Sequence, residues 1–583
     1  MRNKLDLVIR GGAIADGLGG PLVEADVAVQ DGRIVAVGRV SGSGKDEIDA
    51  RGRMVTPGFV DIHTHYDGQA IWDQRFAPSS WHGVTTTVMG NCGVGFAPVR
   101  PSDHDRLIEL MEGVEDIPGV ALREGLDWAW ESFAEYLDAL ERRPHDIDFC
   151  AQLPHAALRV YVMGERASRL EMATADDRGQ MRSLASDAMR AGAIGFSTSR
   201  SINHKSVNGA PTPTLRAAEE ELMAIAMGVK DAGAGVLQMI TDFDGEDVDG
   251  EFALMRRLVE ASGRPLSFSL MQKHKNSQGW KRVLALTAQA VRDGLPMCAQ
   301  VAPRGVGVLL GLQGSRNIFS ECPAYQAIAG LPLGQRVALM REPGLRDTLL
   351  REIVQAGRTP LSHRLVEFGN IFPFGDPPNY DPGPESSLAA MAAREGCQPA
   401  ELAYSLMLAG DGQGMFYSPF ANYADRSLDA CFEMIADPNT VVGLGDGGAH
   451  VGLISDSSFQ TFMLSHWGNA TGKFDLPWLV KRQTSDTART VGLYDRGVIA
   501  PGMKADINVI DTAGLGMSAP HMQFDLPAGG RRLLQRASGY VATLVSGTVV
   551  YRNGVATGAL PGRLVRGPQP APVRTAPTPM EQT

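Results

Sequence analysis

Apolar and polar positions alternate with a period of two near both ends of the chain, and longer mixed periods fill the middle. Leu5-Asp-Leu-Val-Ile-Arg-Gly-Gly and Asp26-Val-Ala-Val-Gln-Asp-Gly-Arg-Ile-Val-Ala-Val-Gly read as short strands, with Asp31-Gly32 as a hairpin turn inside the second run. Ala505-Asp-Ile-Asn-Val-Ile-Asp and Ala542-Thr-Leu-Val-Ser-Gly-Thr-Val-Val-Tyr-Arg-Asn-Gly repeat that style far downstream. Residues 1–56 and 491–566 are therefore expected to form one β-sandwich from both chain ends.

Between them, over 57–490, β-rich apolar runs alternate with helix-period segments, the pattern of βα units around a parallel sheet. Expected strands are Phe59–His63, Thr85–Met89, Ile147–Leu153, Ala193–Ser197, Gly235–Ile240, Pro265–Met271 and Val441–Gly445, and Arg182–Ala191 reads as a helix stopped by Gly192. Two stretches break the alternation. Residues 303–396 carry Pro/Gly-rich patches such as Phe372-Pro-Phe-Gly-Asp-Pro-Pro-Asn-Tyr-Asp-Pro-Gly-Pro384 and read as an insertion over the mouth of the barrel; Pro101–Arg143, with Trp128 and Trp130, reads as a second wall of that mouth. The tail, 567–583, is proline-rich and is expected to be flexible or draped over the surface.

Composition narrows the class. A chain of 583 residues with 44% apolar positions can bury a full core, and its formal charge of −11, without basic runs, excludes nucleic acid as an expected partner. Its cysteines (Cys92, Cys150, Cys298, Cys322, Cys397 and Cys431) are scattered without CxxC spacing, so neither a disulfide framework nor a zinc knuckle is expected. No apolar run is long enough to span a membrane, and the N-terminus passes directly into a strand pattern. The expectation is a cytoplasmic enzyme acting on a small molecule, with no membrane partner.

The chemistry starts at Val55-Thr-Pro-Gly-Phe-Val-Asp-Ile-His-Thr-His-Tyr-Asp67. Alternate residues of a strand share a face, so His63 and His65 can converge on one metal ion. Alone the pair is weak, since chance supplies roughly 0.25 such pairs in a chain with this histidine content. A second signal is Gly83-Val-Thr-Thr-Thr-Val-Met-Gly-Asn-Cys-Gly, in which a β-branched strand delivers Cys92 among glycines; taken alone, Cys92 reads equally as a buried thiol. A third is Asn439-Thr-Val-Val-Gly-Leu-Gly-Asp-Gly-Gly-Ala-His450, an apolar run ending in Asp446, whose Asp-Gly-Gly alone could be a simple turn.

Together with Gly192-Ala-Ile-Gly-Phe-Ser-Thr-Ser and Arg496-Gly-Val-Ile-Ala-Pro-Gly-Met-Lys-Ala-Asp, these segments resemble the amidohydrolase superfamily, and within it the N-acyl-D-amino-acid deacylase group, over nearly the whole chain. The resemblance implies a (β/α)8 TIM-like barrel with a β-sandwich, a zinc centre, and hydrolysis of an amide-type bond; paired barrels in that superfamily suggest a homo-oligomer by analogy. It makes His63 and His65 the first-strand ligands, Cys92 the cysteine ligand and Asp446 the eighth-strand aspartate. The chain departs from the pattern at two places. Gln238 or Met239 stands where a Thr-His pair is usual after the fifth strand, and Ser267-Phe-Ser-Leu-Met-Gln-Lys-His-Lys275 replaces Ser-His-His-Lys after the sixth. His274 matches the His-Lys end of that motif, whereas counting from the strand start puts Leu270 or Met271 there. One zinc is accordingly favoured over two.

The implied activity is deacylation of an N-acyl amino acid, with Asp446 passing a proton from water to the departing nitrogen. Hydrolysis of a cyclic amide, carbamate or ester is the alternative within enzymes, and a non-catalytic binding protein is the alternative outside them. Around the centre, His155 is a candidate oxyanion donor or a structural rim histidine. His450 is a candidate partner of Asp446 or of substrate. Ser197, Ser199 and Arg200 follow the fourth strand, where Arg200 could grip a substrate carboxylate or lie on the surface.

Overall fold

The computed structural model describes residues 4–243, 247–354 and 360–573. Eight strands, Phe59–Asp61, Val84–Met89, Asp148–Pro154, Gly195–Ser199, Val236–Ile240, Leu266–Ser269, Met297–Val301 and Thr440–Val442, form one sheet in sequence order. Every pairing in it is parallel. Buried residues run continuously along most of these strands, as they must when both faces of a parallel sheet are covered. The sheet curls so that the segments following its first and last strands meet: the Asp446 N–H donates to the His63 carbonyl at 2.9 Å, and the His65 N–H to the Gly447 carbonyl at 2.7 Å.

Met297–Val301 is the strand that the hydrophobic pattern does not announce, because Met-Cys-Ala-Gln-Val is short and carries a polar residue near its end. The helix expected from Arg182 begins earlier, at Ala175, where Thr174 and Asp177 form a reciprocal capping box; its polar first turns and Gly179 hide its start. Its end is as expected, with Gly192 at φ 117°.

Both chain ends enter a nine-stranded sheet in which Ile507–Ile510 pairs antiparallel with Met54–Pro57. Asp31 and Gly32 both have positive φ, 51° and 71°, as a tight hairpin turn requires. Residues 516–538 leave this sheet and form two small hairpins. The inner one, His521–Leu526 with Gly530–Leu534, sets its turn, Pro527–Gly529, against helix Gly119–Gly125 and donates the Leu533 N–H to the Val451 carbonyl at 2.6 Å.

The insertion between the seventh and eighth parallel strands extends past residue 396. It has its own three-stranded sheet, Val306–Gly311, Met415–Ala421 and Phe372–Pro373, and its own core around Phe319, Met340 and Phe416. Of the proline-rich tail, 567–573 is described: the Gln569 N–H donates to the Gly492 carbonyl at 2.9 Å, so the tail begins draped on the surface, and 574–583 lie outside the described residues. No helix among the described residues is long and apolar enough to cross a membrane.

Candidate metal centre

The first strand ends at Asp61, whose carboxylate accepts the His63 N–H at 3.1 Å and fixes the chain as it leaves the sheet. His63 and His65 then point into the same space while Thr64, between them, turns its hydroxyl to the Val88 carbonyl at 2.8 Å. Cys92 arrives on a loop in which Gly90, Cys92 and Gly93 all have positive φ. A Cβ at Gly90 would sit 2.5 Å from the Gln152 carbonyl oxygen, so that turn needs glycine. Ser197 braces the loop from the fourth strand, accepting the Gly93 N–H at 3.0 Å and donating to the Gly90 carbonyl. Asp67 accepts the Gly90 N–H at 3.0 Å. Asp446 follows the eighth strand at φ 46°, and a Cβ on its neighbour Gly447 would meet Ser79 Oγ at 2.5 Å.

Four donor atoms converge. Cys92 Sγ lies 3.3 Å from His63 Nε2, and Asp446 Oδ1 lies 3.4 Å from His63 Nε2 and 3.6 Å from His65 Nε2. Ligands about 2.0–2.3 Å from a tetrahedral ion stand about 3.3–3.7 Å apart, so the buried His63, His65 and Cys92, whose ligand atoms all lie within 4.8 Å of one another, fit a divalent metal ion, with the Asp446 carboxylate beside the two imidazoles. The imidazoles are turned for that purpose. His63 Nδ1 is 2.7 Å from Gln300 Oε1, an acceptor, which places the ring proton on Nδ1 and the lone pair on Nε2. His65 Nδ1 faces Glu115 Oε1 at 3.3 Å, too poorly aligned for a full hydrogen bond but close enough for ionic attraction.

Burial pushes His63 down to about 4, against the pull of Asp446. Burial works the same way on His65, but Glu115, Asp446 and Cys92 together hold it well above its ordinary value. Burial raises the Cys92 thiol to about 11 although His65 opposes it. For Asp446 burial is outweighed by His65 and His63, which hold the carboxyl far below the usual range.

The structure thus brings His63, His65, Cys92 and Asp446 together, and leaves other candidates elsewhere. His274 sits on an exposed turn whose charged neighbours are Glu367, Arg364 and Asp425, and it does not join the donor set. The residue that follows the sixth strand is the buried Leu270. At the fifth strand Gln238 uses its Oε1 to accept the Cys92 N–H at 3.1 Å, supporting the cysteine loop. His155 has no nitrogen to offer an oxyanion: Nδ1 meets Thr198 Oγ1 at 2.8 Å and Nε2 meets Glu221 at 2.9 Å. Arg200 is held by both oxygens of Glu251, at 3.0 and 2.8 Å, so its fork is already filled. Ser199 Oγ meets His204 Nδ1 at 2.9 Å. His450 turns its Nε2 to Glu115 Oε2 at 3.6 Å, not to Asp446.

Glu115, Gln300 and His204 escape a reading of the sequence. Glu115 had one signal: Leu107, Met111 and Glu115 share the apolar face of helix His104–Glu115, so a carboxylate occupies a core position. His204, half-buried after the fourth strand, is pushed down to about 3, chiefly by burial.

A family model described as "Amidohydrolase family" matches residues 46–551. The D-aminoacylase of Alcaligenes xylosoxydans xylosoxydans is 27% identical over 567 residues, covering 96% of this chain and 97% of its own. The N-acyl-D-glutamate deacylase of the same organism is 37% identical over 200 residues, 34% of this chain and 38% of its own. A solved D-aminoacylase structure, described in terms of a binuclear metal centre with "one-metal activation and second-metal attenuation", superposes with a TM-score of 0.65 at 25% identity, over 96% of this chain and 100% of that one.

Proposed function

Because the chain belongs to the amidohydrolase family, we propose that it is a zinc-dependent hydrolase that deacylates N-acyl amino acids within a (β/α)8 barrel flanked by a β-sandwich. The observation that carries this reading is the convergence of His63, His65, Cys92 and Asp446 at the C-terminal rim of the parallel sheet. The likeness to D-aminoacylase along nearly the full length supports the substrate class. One metal ion suits the donors better than two, since Gln238 or Met239, and Leu270 or Met271, stand where the resemblance would put further histidines.

Zinc held by this set would supply a Lewis acid that polarises a carbonyl and makes water acidic near neutral pH. The chain's own residues do the rest. Asp446 is ionised at neutral pH and lines a small cavity, where it can take a proton from water and return it to the departing nitrogen. That return matters because an amine leaves far more readily than an amide anion. Gln300 and Glu115 keep the two imidazoles aimed at the site. The free thiols of all six cysteines suit the reducing cytoplasm in which we place the enzyme.

Metal analysis of the purified protein, with the His63→Ala and Asp446→Ala variants assayed on N-acyl amino acids of both chiralities, lactams and esters, tests the proposal. Bound zinc and turnover of N-acyl amino acids, both lost in the variants, are expected. No metal and no hydrolysis across the panel would overturn it, and turnover confined to lactams or esters would replace the substrate class.

A further inference from the structure

His155 directly follows the third parallel strand and opens the helix His155–Met163. Its Nε2 lies 2.9 Å from Glu221 Oε1, in the first turn of helix Glu219–Asp231, and its Nδ1 lies 2.8 Å from Thr198 Oγ1 on the fourth strand. The other oxygen of Glu221 takes Nη1 of Arg159, one turn along the same helix as His155. All four residues are almost completely buried. A carboxylate only accepts, so the ring proton sits on Nε2, and Nδ1 accepts the Thr198 O–H. Burial pushes the imidazole down, so it is neutral at pH 7, and the negative charge of Glu221 is met by Arg159.

This cluster touches none of the metal donors, yet it reaches the Cys92 loop at two places. The N–H of Ala156, the residue after His155, donates to the Gly93 carbonyl at 2.8 Å. On the fourth strand Thr198 packs against the same glycine, close enough that a Cβ on Gly93 would lie 2.9 Å from Thr198 Cα. Gly93 therefore touches both the start of the helix and the fourth strand, and the His155 ring ties those two elements together. Cys92 is the residue before it. Alternation along the strand divides the work, since Ser197 holds the loop from one face while Thr198 turns to His155 on the other.

Resting on the metal-centre reading, we infer that His155, with Glu221 behind it, is a positioning residue for Cys92. By joining the helix and the strand that meet Gly93, it holds the loop so that the thiol is presented to the ion in a fixed place. A buried ion pair adds little net stability over an apolar filling of the same volume. What Glu221 and Arg159 supply is an orientation for the ring.

The test compares wild type with Thr198→Val, which keeps the volume and removes the hydroxyl, Thr198→Ser, which keeps the hydroxyl, and His155→Gln. The first readout is the rate at which iodoacetamide alkylates Cys92 in the metal-depleted proteins, followed by mass spectrometry of its peptide. The second is cobalt affinity together with the thiolate-to-cobalt absorption band. Thr198→Val and His155→Gln should expose Cys92 to faster alkylation, bind cobalt about 10-fold more weakly and lose intensity in the thiolate band; Thr198→Ser should match wild type. Unchanged alkylation and an unchanged band in Thr198→Val would overturn the inference even if its unfolding midpoint falls, because a merely structural role moves the midpoint alone. Should His155→Gln fail to fold, Thr198→Val decides; a Thr198→Val protein that also fails to fold would overturn the inference, since the bond would then serve the whole fold. A wild type that binds no cobalt would overturn the metal-centre reading, and the alkylation rates would still decide whether His155 holds the loop.

Discussion

Gln300 Oε1 lies 2.7 Å from His63 Nδ1, so the seventh parallel strand orients a histidine that follows the first. The amide is itself fixed, since its Nε2 donates to Ser267 Oγ on the sixth strand at 2.8 Å. Three strands are thereby coupled to one ring.

Removing that acceptor frees the ring to rotate or change tautomer. Gln300→Leu should weaken metal binding about 10- to 100-fold, the usual effect of losing such a partner, whereas Gln300→Glu, which keeps an acceptor oxygen, should retain most of it. Titration of the metal-depleted proteins with zinc, read by calorimetry, checks both. Equal affinities in all three proteins would show that His63 is aimed by packing alone.

Metal uptake should release protons. In the metal-free protein Cys92 is pushed up to about 11 by burial. His65 would be lowered by burial, but Glu115, Asp446 and Cys92 hold it well above its ordinary value. Both are therefore protonated at pH 7, and an ion can bind only by displacing a proton from each. Affinity should rise with pH across neutrality, and the binding heat should differ between buffers of different ionisation enthalpy. A pH-independent affinity without proton release would remove Cys92 and His65 from the ligand set.

The segment Arg496 to Asp506 was legible as a family signature, but its physical role was not. Arg496 is buried and pairs with Asp148 at 2.7 Å and Asp495 at 2.9 Å, while Lys504 pairs with Asp148 at 2.9 Å and Asp506 at 2.6 Å. Asp148 begins the third parallel strand and Asp506 precedes Ile507–Ile510 of the nine-stranded sheet, so the cluster joins the two sheets. Conversely, the strand-bound donors could be placed from sequence because His63, His65, Cys92 and Asp446 each end a recognisable apolar run. Gln300 and Glu115 could not, since their importance lies in contacts with residues hundreds or tens of positions away. His274 shows the opposite failure: a matching dipeptide without the strand geometry behind it ends in solvent.

Arg496→Met leaves the buried carboxylates short of a partner and should destabilise the protein by roughly 3–5 kcal/mol. The Asp148 carboxyl is raised by burial but lowered further by Lys504 and Arg496, so its folded pKa lies below the ordinary 3.8. Its stabilising contribution is fully present above pH 3.8 and is lost as pH falls through the lowered value. Denaturant unfolding of wild type and variant should therefore differ at pH 7 and converge toward low pH; identical midpoints at pH 7 would show that Lys504 suffices alone.

Gly93 separates loss of the site from loss of the fold. It stands at φ 70°, and a Cβ there would lie 2.9 Å from Thr198 Cα and 3.0 Å from the Ser199 nitrogen. Both neighbours are backbone of the fourth parallel strand, which cannot yield as a side-chain tip could. The loop must move instead, and with it Cys92, whose N–H is held by Gln238 and whose Sγ sits 3.3 Å from His63 Nε2. Gly93→Ala should cost about 1–3 kcal/mol of stability, the scale of backbone strain, yet remove most metal binding. A Gly179→Ala control, in an open helical position with nothing within 4 Å of its Cβ, should leave metal binding unchanged. Full zinc content in purified Gly93→Ala protein would mean that the ion does not depend on Cys92, and that His63, His65 and Asp446 hold it without the thiol.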